Sequence, residues 1–107
     1  MFTTTVTLAE LLYGIEALPQ GKRRDRLGSA LERVFAEGLQ HRVLAFDEDA
    51  AHAFPSIVIT RQRSGRPIVP LDAMIASIAK SRGCAVATRN IRDFENCGVR
   101  VVNPWAE

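Results

Sequence analysis

The sequence predicts an α/β fold with a mainly parallel sheet. Three observations carry that reading. Apolar residues recur at helical spacing in several long stretches. Between them lie short aliphatic runs, residues 43–46, 85–88 and 99–102, that read as buried strands. Helix-stop signals such as Gly38 and Gly83 separate the two kinds of segment. Helices alternating with short apolar strands bury both faces of a sheet whose strands run in parallel.

Taken in order, residues 2–6 are rich in Thr and suit a short strand. Thr7 to Glu10 then reads as a capping box, with Thr7 as N-cap and Glu10 at the third helical position. Leu8, Leu11, Leu12, Ile15 and Leu18 follow on one stripe, and Pro19-Gln20-Gly21 stops the helix. A second helix carries Leu27, Leu31, Val34 and Phe35 and ends near Gly38, giving a helical pair. After the strand at 43–46, Asp47 is a natural N-cap for a helix over residues 48–63. Pro55 falls inside that helix, where it removes a hydrogen bond at a cost of roughly 3 kcal/mol, so a kink or break is expected. Ser64-Gly65-Arg66-Pro67 is a loop. Residues 72–82 form a helix apolar on nearly every face, closed by Gly83, and such a helix packs against a sheet and other helices. A strand at 85–88, a helical turn at 92–96 and a strand at 99–102 complete the order, and Asn103-Pro104-Trp105 closes it.

A chain of 107 residues is read as one domain, 1–107, with a single modest core. No apolar run approaches the roughly 20 residues needed to span a bilayer. The opening Met1-Phe2-Thr3-Thr4-Thr5 lacks the charged and apolar regions of a signal peptide, so a cytoplasmic location is expected, away from membranes. Cys84 and Cys97 lack the ligand number that zinc needs and read as two small hydrophobes rather than a disulfide. The net charge of +2 by itself indicates no partner. Arg61, Arg63 and Arg66 suit a helix C-terminus, while Arg89 and Arg92 flank an acidic cluster where phosphate contact is the alternative to a solvated face.

The candidate chemistry lies in four residues. Glu10 has its capping box as a bland reading, Asp72 a role in the first helical turn or as its N-cap, Asp93 a cap, and Asn90 a turn with positive φ. Together they say more. Right-handed crossovers bring these ends of the elements to one rim of a parallel sheet, where ligands bind. Carboxylates gathered there need a cation, and hard oxygen donors favour Mg²⁺ or Mn²⁺. Such ions orient a water and stabilise the attacking and leaving oxygens of a phosphodiester. His41 and His52 lie away from that rim, and neither a Ser nucleophile elbow nor a Gly-rich phosphate loop is present.

The motifs Thr5-Val6-Thr7-Leu8-Ala9-Glu10-Leu11-Leu12-Tyr13-Gly14-Ile15, Gly65-Arg66-Pro67-Ile68, Asp72-Ala73-Met74-Ile75-Ala76, Ala87-Thr88-Arg89-Asn90-Ile91-Arg92-Asp93-Phe94 and Val102-Asn103-Pro104-Trp105 resemble the PIN domain. The branch resembled is the VapC/FitB-like toxins of bacterial toxin–antitoxin pairs, over essentially the whole chain. The resemblance implies a three-layer PIN-like fold and a metal-dependent ribonuclease that forms homodimers and is held inactive by a small antitoxin. It implies Glu10 and Asp72 as direct ligands of Mg²⁺ or Mn²⁺, Asp93 as a ligand directly or through water, and Asn90 as a group orienting water or ligand. Arg89 or Arg92 would contact RNA phosphate.

The sequence also departs from the pattern. The family begins with a strand ending in Leu-Asp-Thr-Asn, whose Asp is a principal ligand, and no segment here matches it. In the family order 3-2-1-4-5 that strand is central, so a divided sheet and a depleted metal site are expected. A misplaced gene start or shortened chain, a degenerate remnant that pairs with another copy, and a chain retaining only a binding role for an antitoxin or another PIN chain are the competing explanations. Weak or absent activity in the 107-residue form is the expectation.

Overall fold

The computed structural model describes residues 2–39 and 42–104. His41 and Trp105, both named above, lie outside the described residues. The chain divides into two compact units, Met1–Ala45 and Phe46–Glu107.

In the first unit, strand β1 (Thr3–Thr4) leads directly into helix α1 (Thr5–Glu16), followed by α2 (Lys22–Glu37) and strand β2 (Val43–Leu44). The first strand is shorter than the sequence suggests because the helix cap lies three residues earlier. Thr4 is the N-cap, with extended backbone, and its Oγ1 accepts from the backbone N–H of Thr7 at 3.0 Å. Thr7 is thus the third helical residue rather than the cap, and Glu10 lies beyond the first turn, so there is no capping box. β1 and β2 pair in parallel, Thr3 opposite Val43 and Thr4 opposite Leu44. Helix α2 starts after Gly21, whose φ of 153° suits glycine, and ends at Gly38 as expected. The Arg24 guanidinium meets Glu16 at 3.0 Å, tying the start of α2 to the end of α1.

The second unit comprises α3 (Glu48–Arg63), α4 (Pro70–Arg82), β3 (Val86–Ala87), a 3₁₀ turn (Ile91–Phe94) and β4 (Val101–Val102). Asp47 caps α3 as the sequence predicts, its Oδ1 accepting from the N–H of Ala50, while its Oδ2 meets Arg82 of α4 at 3.1 Å. Pro55 does not break α3, which is continuous through it. Ala51, whose carbonyl loses its helical donor to the proline, is exposed, so water can serve it. Helix α4 begins two residues earlier than the apolar pattern suggests, because Pro70 fits the first helical position, where no N–H is required. Gly83 ends it in the left-handed conformation, φ 66°. Ile57, Ala76, Ala79, Val86, Phe94 and Cys97 form the core of this unit. Both cysteines are free thiols, with Cys97 buried in that core and Cys84 packed against it.

β3 and β4 pair in parallel, Val86 opposite Val101. Among the described residues the strands therefore form two separate two-stranded parallel sheets. No described helix is long and apolar enough to cross a membrane.

Candidate active site

The second unit holds three of the four candidate residues. Asp72 is the third residue of α4, in the first turn and not at the cap, which is Val69. A carboxylate there lies in the favourable field of the helix N-terminus. Asp72 is half-buried, since the neighbouring Ala73 and Ala76 are fully buried and hold this face of α4 against the unit's interior.

Asp93 stands on the 3₁₀ turn that follows β3. Phe94, the next residue, is buried in the core cluster that includes Ala76, one turn beyond Asp72 on α4. Packing of Phe94 thus seats the acidic turn on the same helix that carries Asp72. Asp93 itself is exposed. Asn90 precedes the turn with φ −99°, so it is not the positive-φ residue that the sequence allowed. That conformation falls to Asn96, φ 59°, and Gly98, φ 74°, which turn the chain back towards β4. The N–H of Asn90 donates to Thr88 Oγ1 at 3.0 Å, fixing the start of the turn at the end of β3. Arg89 and Arg92 are exposed beside it. Glu10 is an exposed residue of α1 in the first unit. His52 is exposed on α3 and paired with Glu48 at 3.7 Å.

Two arginines that the sequence assigned to a helix end hold the turn in place. Arg61 is buried, 5 % exposed, at the end of α3. Its Nε donates to the carbonyl of Arg66 at 2.6 Å, and its Nη1 to the carbonyls of Asp93 at 2.7 Å and Glu95 at 3.1 Å. Nη1 also lies 3.7 Å from Cys97 Sγ. Burying a charge is costly unless it is hydrogen-bonded, and here main-chain carbonyls supply the acceptors. Arg66 forms an outer contact, donating from Nη1 to Glu95 at 2.5 Å and from Nη2 to the Arg92 carbonyl at 3.3 Å. That hydrogen bond and the charge of Arg66, aided by Arg92 and Arg61, hold the Glu95 carboxyl below its usual pKa. The sequence did carry a signal for Arg61. Ala50, Phe54, Ile57 and Arg61 share the inward stripe of α3 at helical spacing, so a residue at position 61 faces the core.

The donor chemistry suits a hard cation. Asp72 and Asp93 offer carboxylate oxygens and Asn90 an amide oxygen, while the nearby soft donor, Cys97, is buried beneath the turn. Among the described residues no set of three or more His, Cys, Asp or Glu side chains comes together. A cation held here would therefore keep several water ligands, as Mg²⁺ does when one or two carboxylates bind it.

The PIN domain model matches residues 1–98. A "Plasmid stability protein StbB" from Pseudomonas syringae pv. tomato is 38% identical over 105 residues, covering 98% of this chain and 76% of the relative. A "VapC ribonuclease Y4jK" from Sinorhizobium fredii is 37% identical over 105 residues, covering 98% and 75%. The crystal structure of FitAcB from Neisseria gonorrhoeae superposes with a TM-score of 0.90 at 33% identity, covering 99% of this chain and 76% of that one. The chain belongs to the PIN-domain family, and VapC and FitB toxins are among its relatives.

Proposed function

We propose that this chain is a PIN-type endoribonuclease toxin that hydrolyses RNA phosphodiesters with Mg²⁺ or Mn²⁺ and is restrained by a small antitoxin. The reading is supported by kinship with a VapC ribonuclease. The structural observation that carries it is that Phe94, next to Asp93, lies in the same core cluster as Ala76, one turn beyond Asp72 on α4.

In this reading Asp72 and Asp93 hold the cation. When bound, the cation supplies charge neutralisation at the phosphodiester and a more acidic water. Helix α4 fixes the backbone of Asp72 in its first turn. Asn90, fixed through Thr88, orients a water or the phosphate by hydrogen bonding. Arg89 and Arg92 attract the RNA backbone, a contribution that salt weakens. A homodimer and a cytoplasmic location complete the proposal.

A second reading is favoured by the lack of a three-acid cluster among the described residues. In it the chain is a non-catalytic module that binds an antitoxin or another PIN chain. Cleavage of single-stranded RNA by the purified protein with Mn²⁺ separates the two. The nuclease reading predicts cleavage that Asp72→Asn abolishes. Equal cleavage by the wild type and the variant would rule out the assigned site, and no cleavage by either, with retained antitoxin binding, would favour the module.

A further inference from the structure

We propose that Arg61 is the positioning residue of this site. Through main-chain carbonyls its guanidinium ties the turn bearing Asp93 to the segment that leads into the helix bearing Asp72. The inference rests on the nuclease reading for its consequence, but the anchoring itself is testable without it.

The geometry is specific. A guanidinium presents five N–H donors in a rigid plane. One edge of Arg61 is taken by the carbonyl of Arg66, six residues before Asp72. Nη1 takes the carbonyls of Asp93 and Glu95. The two segments meet at one buried cation and at no buried side-chain acid. The Asp93 main chain is bonded directly, so a shift of the guanidinium moves the residue that carries the carboxylate. The 3₁₀ turn spans only Ile91–Phe94 and has few internal bonds of its own. Its position is set by Phe94 from within and by the Arg61 bonds from beneath. Arg66 grips the same turn on its exposed side, where water can replace it. Arg61 cannot be replaced in that way.

Lysine retains the charge but lacks the planar fork, so it cannot reach acceptors on two segments with the same geometry. Arg61→Lys should leave the helical circular dichroism signal in place. It should shift the backbone amide NMR signals of residues 91–97 and weaken Mn²⁺ binding, measured by titration calorimetry, by about 10-fold or more, as loss of a supporting contact to a metal ligand does. At saturating Mn²⁺ much of the cleavage rate should return, which separates positioning from chemistry. Arg66→Met should move the same amide signals less and bind Mn²⁺ nearly as the wild type does. Wild-type amide positions at 91–97 and wild-type Mn²⁺ affinity in a folded Arg61→Lys protein would overturn the proposal. Should that variant fail to fold, the wild-type side chain decides. Its Nε–H signal should be slow to exchange and should shift in step with the Asp93 amide on Mg²⁺ titration, and an Arg61 signal in fast exchange with solvent would contradict the assignment. If the wild type neither binds metal nor cleaves RNA, the nuclease reading fails, while the amide shifts still report whether Arg61 anchors the turn.

Discussion

Glu95 carries a charge whose role is set by its neighbour. Arg66 holds its carboxyl below the usual glutamate value, with Arg92 and Arg61 adding to the effect. A carboxylate whose pKa is lower folded than unfolded stabilises the fold above its unfolded pKa, about 4.3 for glutamate, and loses that contribution as pH falls through the folded value. Stability of the wild type should therefore exceed that of Arg66→Met at pH 6, and the difference should shrink as the pH is lowered from about 4.3. Urea denaturation at a series of pH values measures this, and a difference independent of pH would refute the assignment. Arg61 shows the limit of reading residues one at a time. As part of a row of arginines it resembles a solvated helix end, and only its place on the inward stripe of α3 marks it as buried. Its acceptors are carbonyls of residues 66, 93 and 95, and main-chain acceptors leave no trace in side-chain chemistry.

At the scale of elements, helices were legible where the apolar stripe and cap agreed. Asp47 opens α3 and Gly83 ends α4 where the sequence predicts. The structure differs from the sequence pattern where two residues offer the same service. Thr4 and Thr7 are both competent caps, and Thr4 takes the role because its backbone is extended and Thr7 supplies the N–H it accepts. Pro70 likewise opens α4 ahead of Asp72. Each described strand is two residues long and has one neighbour. Pro55 lies in the exposed part of an unbroken α3. Replacing it with alanine should restore a helical hydrogen bond and stabilise the protein by about 1–2 kcal/mol, after the unfolded chain regains roughly 1 kcal/mol of freedom. The midpoint of thermal unfolding should rise by several degrees. An unchanged or lower midpoint would show that the proline is accommodated without cost. Asp47→Ala should act in the opposite sense, losing about 1 kcal/mol with the cap, and chemical denaturation reads that loss directly.

For the whole molecule, family membership was the most legible property, because motifs spread from residue 5 to residue 105 keep their order. The parallel pairing of the short strands also agrees with the mainly parallel sheet expected of the sequence. The candidate site was legible in its residue types, with Asp72 and Asp93 placed by α4 and the turn packed on it. The support beneath it was not, since it depends on a buried arginine meeting carbonyls about thirty residues away in sequence. The account stands on Asp72 as a metal-holding carboxylate, and calorimetric titration of Mn²⁺ into the purified protein and into Asp72→Asn tests that most directly. It predicts saturable Mn²⁺ binding by the wild type that is lost in the variant. Equal binding by both proteins would contradict it.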